Sequence, residues 1–384
     1  MKIMIVTSFP FPEGKATANR VKVFAQELIK TDFIKEVVII AASSNKDEVF
    51  LLEPSIKVIN IHIAKINKNQ LFKRAYRELV FAFKIWSTVR NSQIDNIIIT
   101  IPSVLLLLPI ILYPKNHFLA LDIRDAVWTY FSGSTFSHIF KFLLEGLFKV
   151  AANKADIVSV TNSHEAFGLR KIADIDPTIV ANGISKQDIN TYKNIPIKPV
   201  MAKIKLTYIG NVGIAQELDA LIELAKINQA SIKISIVGDG AKLDSLRDSF
   251  KKQGLSNVKF HGSVAKREVR RFMEESDILF AQIGKNFASA VPTKIFEYIA
   301  SGRKILLGLP DGPARDIFKE FKGIEIFEAG DYSDMLNSYY NLLNIEFTDR
   351  NRQENLFILE SRYLREKTIT NYINEIRTIL KDSL

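Results

Sequence analysis

The chain of 384 residues is too long for one ordinary hydrophobic core, so two domains are expected. It contains no cysteine, which excludes disulfides, thiolate metal sites and cysteine nucleophiles and is consistent with a reducing compartment. The formal net charge is +10, and the residues up to Ile195 include 24 Lys and Arg against 17 Asp and Glu, a balance that favours anionic partners. No nucleic-acid-binding motif accompanies this charge, so nucleic acid is not an expected partner.

Strands and helices alternate along the first half of the chain. The N-terminal stretch lacks the basic segment and long apolar run of a signal peptide, so we expect a first strand there and a cytoplasmic protein. Runs rich in Val and Ile predict strands that are buried on both faces of a parallel sheet. In chain order these runs are KIMIVTS, EVVIIAAS, KVINIHI, NIIITI, FLALDIRD, DIVSVTN and PTIVANG.

The loop after the first strand, in SFPFPEGKATANRVKVF, is basic, contains glycine and opens a helix, which is typical of a site for phosphate or a polar substrate. Its candidate residues are Gly14, Lys15, Asn19 and Arg20. The loop lacks the GxGxxG spacing of dinucleotide-binding folds, which argues against a dehydrogenase. The stretch LDIRDAVW places Asp122, Arg124 and Asp125 at a strand end. They are candidates for orienting or stabilising a reacting sugar, and a structural Arg–Asp pair is the alternative.

Three segments of the first half are candidates for contact with a membrane. The uncharged segment of 17 residues from Ile97 to Tyr113 is shorter than the roughly 20 residues that span a bilayer, and two prolines interrupt it. A strand, a turn and a buried helix are therefore favoured over a transmembrane helix. Two further segments, LFKRAYRELVFAFKIWSTVR and FSHIFKFLLEGLFKVAANK, combine aromatic and aliphatic residues with cations. They could dock on an anionic membrane surface or pack on their own sheet.

The alternation pauses at residues 194–202, where prolines and the absence of periodicity indicate a linker. A second series of strands and helices follows. The sequence therefore predicts an α/β fold of two doubly wound Rossmann-like domains, residues 1–193 and 203–362, that face a cleft. In such domains ligands bind at the carboxyl ends of the strands.

Three glycine turns follow strands in the second half. Glycine lets the backbone approach a ligand, and amides at a helix N-terminus attract anions. Their residues are Gly210, Asn211, Gly213 and Gln216 in the first turn, Gly238, Asp239 and Gly240 in the second, and Gly262, Ser263 and Val264 in the third. The third turn could accept the edge of a nucleobase. Ordinary strand-to-helix turns are the alternative for each.

The stretch VPTKIFEYIASGRKIL predicts a helix that begins near Pro292, with Thr293 as its cap. Lys294 in the first turn opposes the helix dipole and would be stabilised by an external anion such as a diphosphate. Glu297 lies three residues later on the same face, where its carboxylate could accept two ribose hydroxyls. An ion pair between Lys294 and Glu297 is the alternative.

Together these motifs resemble glycosyltransferase family 4, the retaining enzymes of the GT-B fold. The matches are YIGNVGIAQELDALIELA, IVGDGAKLDSL, VKFHGSVAKREVRRFMEESDILFA and VPTKIFEYIASGRKIL, with looser matches at LDIRDAVW and IVANGI. The likeness is greatest to the bacterial surface-polysaccharide branch that transfers N-acetylated aminosugars, including fucosamine transferases. The resemblance implies a nucleotide-sugar donor, UDP-linked, and a glycan or polyprenyl-linked acceptor bound by the first domain. It implies no metal and no other cofactor, and a last helix, 363–384, that packs back on the first domain.

The resemblance also assigns residues. The candidate catalytic residues are Asp122, Arg124, Asp125 and Lys294. The implied donor-binding set is Gly210, Asn211, Val212, Gly213, Gln216, Gly238, Asp239, Gly240, Gly262, Ser263, Val264, Ser289, Pro292, Thr293, Lys294 and Glu297. Together with the cations of the first half, these assignments imply a cytoplasmic enzyme that associates with the inner face of the cell membrane.

Two departures from the family pattern leave alternatives open. Ser289 stands where many members have a first glutamate, and the loop NFASA has no carboxylate. The common histidine of the first domain is replaced by Pro102 and Ser103. We interpret both as a change of specificity. A UDP-sugar epimerase on the same fold and a non-catalytic subunit of a glycan assembly complex are the alternatives.

Overall fold

The computed structural model describes residues 1–12, 16–43, 46–63, 71–101, 104–111, 118–124, 135–198, 203–227 and 229–382. The chain divides into two compact units. Unit 1 comprises Met1–Ala181 and Arg365–Leu384, and unit 2 comprises Asn182–Leu364. Each unit is built on one sheet with helices on both faces, which confirms the predicted α/β fold of two doubly wound domains.

Unit 1 has an eight-stranded sheet with the order β3-β4-β2-β1-β5-β6-β7-β8. Its strands are β1 (Lys2–Pro10), β2 (Glu36–Ser43), β3 (Glu48–Glu53), β4 (Ile56–His62), β5 (Asn96–Ile101), β6 (Leu119–Ile123), β7 (Ile157–Val160) and β8 (Thr178–Ile179). Its helices are α1 (Ala16–Ile29), α2 (Leu71–Asn91), α3 (Leu107–Ile111), α4 (Thr135–Ala152), α5 (Ser163–Ile172) and α14 (Arg365–Asp382). All neighbouring strands are parallel except β3 with β4.

Two apolar layers sandwich the sheet of unit 1. Helices α1 and α14 bury Phe24 and Tyr372 on one face, where the two rings meet edge to face at 5.7 Å. Helices α2 and α4 bury Phe81 and Phe148 on the other face. The last helix therefore belongs to unit 1, although it follows unit 2 in the chain.

The uncharged segment beginning at Ile97 forms β5 and, after residues outside the described part, the short helix α3. This agrees with the favoured prediction of a strand followed by a buried helix. Across the described part of the chain, no helix combines the length and apolarity needed to cross a bilayer.

Unit 2 has a six-stranded sheet with the order β11-β10-β9-β12-β13-β14, in which every neighbouring pair is parallel. Its strands are β9 (Ile204–Ile209), β10 (Ile232–Val237), β11 (Val258–Gly262), β12 (Ile278–Gln282), β13 (Lys304–Leu309) and β14 (Ile324–Glu328). Its helices are α6 (Lys186–Tyr192), α7 (Ala220–Ile227), α8 (Leu243–Lys252), α9 (Lys266–Glu275), α10 (Lys294–Ala300), α11 (Pro313–Phe318), α12 (Tyr332–Asn344) and α13 (Asp349–Arg362).

Unit 2 begins at Asn182, whereas the sequence pattern placed the first boundary after residue 193. The reason is that α6 buries Tyr192 against α10 within the core of unit 2. The described part of the expected linker is also held by unit 2. Arg303 donates to the carbonyl of Pro196 at 2.8 Å, and Arg352 donates to the carbonyl of Ile195.

Candidate active site

The candidate site of unit 2 lies where the winding of the sheet reverses, at the carboxyl ends of β9 and β12. Helices α7 and α8 pack on one face of the sheet, and α9 and α10 pack on the other. Ligands of doubly wound sheets bind at this point. The loops that follow the two strands contact each other, since the amide of Gly284 donates to the carbonyl of Ala215 at 2.8 Å. The topology therefore brings the first glycine turn and the loop before α10 together.

The three predicted glycine turns form one continuous surface, which we call the glycine ledge (residues 210–213, 238–240 and 262). The amide of Gly238 donates to the carbonyl of Gly262 at 2.7 Å. A Cβ on Gly238 would lie 1.8 Å from the carbonyl oxygen of Gly210, and φ of Gly238 is +142°. A Cβ on Gly240 would lie 2.3 Å from the carbonyl oxygen of Val212. Glycine is therefore required at 238 and 240 for the turns to pack this closely.

Polar side chains at the ledge hold the turns together. The side-chain oxygen of Gln216 accepts from the amide of Gly213 at 3.1 Å and from the side-chain amide of Asn211 at 3.2 Å. Asp239 accepts from the amide of Gly240 at 2.7 Å. These residues shape the first two turns, whether or not they also contact a ligand. In the third turn, Ser263 is exposed and Val264 is half-buried at the end of the edge strand β11.

Lys294 and Glu297 lie on one face of the first turn of α10. The ammonium of Lys294 is 2.9 Å from the carboxylate of Glu297, so the ion pair proposed as the alternative is formed. The two side chains are 36% and 17% exposed, respectively. Thr293 makes no side-chain capping bond, contrary to the prediction. Its backbone is helical (φ −66°, ψ −26°), whereas a capping side chain needs an extended backbone.

A second side chain reaches Glu297 from α6. The hydroxyl of Tyr192, a residue only 1% exposed, is hydrogen-bonded to the Glu297 carboxylate. Burial, and then the negative charge of Glu297, raise the pKa of Tyr192 far above its usual value. The hydroxyl therefore stays protonated and donates to the carboxylate. Sequence reasoning did not connect these residues, because they are far apart in the chain and Tyr192 has an ordinary apolar pattern around it.

The loop between β12 and α10 contains Ser289 and Pro292, both half-buried. Glu217, which sequence reasoning missed, lies in the loop that follows β9, and its side chain reaches the loop between β12 and α10. A Cβ on Gly284 would lie 2.1 Å from Oε1 of Glu217, so the carboxylate rests directly on that glycine. Glu217 has left-handed backbone angles (φ 42°, ψ 50°), which cost a non-glycine residue about 1–2 kcal/mol. No sequence signal marks this position, because glycine or asparagine is expected in that conformation.

In unit 1, the structure corrects two predicted site residues. Arg20 and Asp122 are 2% and 0% exposed, and they pair with each other inside the domain. Nη2 and Nε of Arg20 donate to the two carboxylate oxygens at 2.8 and 3.3 Å, and Ser159 donates to the same carboxylate at 3.0 Å. Burial alone would raise the pKa of Asp122, but Arg20, and then Arg124, hold it below its usual value. Asp122 therefore belongs to a structural Arg–Asp pair, which was the alternative prediction, and the arginine of that pair is Arg20.

Arg124 remains a candidate at the carboxyl end of β6. Its Nη1 is buried and has no hydrogen-bond partner in the described part of the chain. Burial, and then the neighbouring charge of Arg20, lower the pKa of Arg124 to about 9. A buried cation with an unmade hydrogen bond is suited to receive an anion. Asn19 is half-buried on α1, and the candidates Gly14, Lys15 and Asp125 lie outside the described residues, as do Pro102 and Ser103.

Part of the chain that contains this site matches a known protein family. Residues 194–356 match the family model described as glycosyl transferases group 1. The protein is a transferase enzyme. The matched range contains the glycine ledge and α10, so the candidate site of the transferase lies inside the residues that match this family model. No curated protein sequence matches the chain.

Solved structures match the transferase over its whole length. Sucrose-phosphate synthase from Thermosynechococcus elongatus is 14% identical, with 100% of both chains covered and a TM-score of 0.75. The trehalose-6-phosphate protein from E. coli bound with UDP-2-fluoro glucose is 11% identical, with 98% of both chains covered and a TM-score of 0.73. The apo lipopolysaccharide outer core galactosyltransferase WaaB is 15% identical, with 98% of this chain and 99% of that chain covered and a TM-score of 0.63. At such identities the likeness shows the fold, which is GT-B.

Proposed function

We propose that the protein is a retaining glycosyltransferase that moves a sugar, an N-acetylated aminosugar, from a UDP-linked donor to a glycan or polyprenyl-linked acceptor. Its product would enter bacterial capsule, O-antigen or exopolysaccharide synthesis. The observation that carries the proposal is the glycine ledge beside Lys294 and Glu297 at the reversal point of unit 2. The UDP-sugar bound to the E. coli neighbour of the same fold supports the choice of donor.

The ledge and α10 offer complementary groups to such a donor. The diphosphate would lie on the main chain of residues 210–213 and be neutralised by Lys294. Glu297 would accept the two ribose hydroxyls, and the turn at residues 262–264 would meet the base. Charge that develops on the leaving diphosphate would then be stabilised by preorganised donors, which is usually the largest catalytic contribution.

In this proposal no side chain acts as the general base for the acceptor hydroxyl. The bond between the anomeric carbon and the diphosphate oxygen breaks, and a bond from that carbon to the acceptor oxygen forms on the same face. The proton of the acceptor hydroxyl passes to the leaving diphosphate. We propose that no divalent metal takes part, because the ammonium of Lys294 supplies the countercharge.

Unit 1 supports an acceptor held at an anionic membrane surface. The large apolar side chains exposed on α2 and α4 are Tyr76, Val80, Phe83, Ile139, Phe142, Leu143 and Val150. Both helices pack on the same face of the sheet, and both carry lysines, including Lys84 and Lys149. Apolar groups flanked by cations favour the surface of an anionic bilayer, where a polyprenyl-linked acceptor resides. We therefore propose a cytoplasmic protein that binds the inner face of the cell membrane.

The proposal is tested by incubating the purified protein with a panel of UDP-sugars, with and without bacterial membranes. Transfer of labelled sugar to the lipid fraction is the expected result. Isomerised donor would instead indicate an epimerase, and binding without turnover a non-catalytic subunit. Thermal shift measurements with the same panel identify the donor, because a ligand that binds the native state raises its melting temperature.

A further inference from the structure

Glu217 combines backbone strain with an unused carboxylate. Among the described residues it is one of two non-glycine residues with positive φ, the other being Gln93. Strained residues cluster at functional sites, where the surroundings hold them in place. The carboxylate of Glu217 forms no ion pair or hydrogen bond within the described part of the chain.

The surroundings of Glu217 fix its conformation from two sides. The side chain of Gln282, which is 2% exposed, donates to the carbonyl of Glu217 at 3.0 Å. On the other side, Gly284 provides the space for the carboxylate, because any larger residue would collide with it. Both neighbours belong to the end of β12 and its loop. The strand therefore sets where the carboxylate of Glu217 lies.

Glu217 also lines a cavity of about 240 Å³ next to the glycine ledge. The cavity shares Val212 and Gly213 with the ledge, and its far side is formed by residues of α8, including Ser245. In a nucleotide-sugar the sugar is bonded directly to the diphosphate. A diphosphate on the ledge would therefore place the sugar within reach of this cavity.

We propose that Glu217 binds the sugar of the donor, accepting hydrogen bonds from hydroxyl or amide N–H groups of the ring. A carboxylate with free lone pairs is suited to this task, because it accepts two such bonds at once. Ser289 and its neighbours in the loop before α10 offer no carboxylate. Glu217 brings one to this loop at Gly284, whereas Glu328, which also reaches the loop, is paired with Lys285 and Arg315. The inference rests on the proposed function and adds a residue that selects the donor sugar.

Two substitutions separate binding from strain. Glu217→Gln keeps the left-handed backbone and the shape of the side chain but removes the charge. Glu217→Gly removes the carboxylate and also the strain, since glycine adopts positive φ freely. Glu223→Gln is the matched control, because Glu223 lies nearby on α7 and its carboxylate forms an exposed ion pair with Lys226.

We expect both Glu217 variants to lower kcat/KM for the UDP-sugar at least tenfold, while the Kd for UDP alone changes less than twofold. Glu217→Gly should also melt at a higher temperature than the wild type, and Glu223→Gln should match the wild type in all three measurements. A Glu217→Gly variant that is more stable and transfers sugar at the wild-type rate would overturn the inference while leaving the proposed function intact. A wild-type protein that binds no UDP would overturn both.

Discussion

Replacing Asp122 with asparagine removes the charge that neutralises Arg20 and leaves the shape of the side chain almost unchanged. In the wild type the Asp122 carboxylate accepts two hydrogen bonds from Arg20 and one from Ser159, with no exposed surface. Breaking a buried pair by removing one partner costs about 3–5 kcal/mol, because the remaining charge has no compensation. A domain of this size is stable by only about 5–15 kcal/mol, so unit 1 of the variant should be marginal.

Urea unfolding followed by tryptophan fluorescence measures this loss in unit 1 alone, because Trp86 and Trp128 both lie in the range Met1–Ala181. Asp176→Asn is the control in the same unit, since Asp176 pairs with Arg170 at the surface, where such a pair is worth no more than about 1 kcal/mol. If Asp122→Asn costs no more than that control, the structural role assigned to the buried pair is wrong.

The same variant has a defined pH dependence. The pKa of Asp122 is lower in the folded protein than the value of about 3.9 expected when it is unfolded. The stability that the carboxylate contributes is therefore present above about pH 4 and is lost as the pH falls through the lower folded-state pKa. The difference in stability between wild type and Asp122→Asn should shrink as the solution is acidified.

Three further substitutions test the proposed sites. Lys294→Ala should raise the activation free energy of transfer by roughly 2–4 kcal/mol, calculated from the steady-state kcat/KM. Lys226→Ala, which breaks a comparable ion pair on a helix, should leave kcat/KM unchanged. Tyr192→Phe should weaken the binding of UDP, measured by calorimetry, by about 1–2 kcal/mol, because the Glu297 carboxylate loses the hydrogen bond that holds it. The loss should disappear with 2′,3′-dideoxy-UDP, which lacks the ribose hydroxyls that Glu297 would accept. Arg124→Leu should reduce transfer at least tenfold, because it removes the cation whose Nη1 is free to receive an anion; transfer at the wild-type rate would contradict our account of that side chain.

The fold was largely predictable because its signals are local. Uninterrupted runs of Val and Ile, such as NIIITI and KIMIVTS, can be read without knowing what they pack against, and they alternate with amphipathic helices. The boundary between the units was harder to place. The apolar residues of α6, including Tyr192, would look the same whether they packed on one unit or the other.

The details of the sites depend on contacts between distant residues, which one sequence does not reveal. Arg20 is 102 residues from Asp122, so both looked like free charged groups at the ends of their elements. The spacing of Lys294 and Glu297 did predict that they share a face, because that spacing is a local property of a helix. The left-handed backbone of Glu217 follows from the loops around it and not from its own preference.

The ion pair between Lys294 and Glu297 is compatible with both residues binding the donor, because it is weak. A pair three residues apart on a helix contributes only about 0.2–0.5 kcal/mol, and Lys294 is partly open to water. A diphosphate carries more charge than one carboxylate, so Lys294 would move to it at small cost. Glu297 would then lose one partner and gain the ribose hydroxyls, while Tyr192 continues to hold it from α6. The pair therefore orders both side chains before the donor arrives without competing effectively against it.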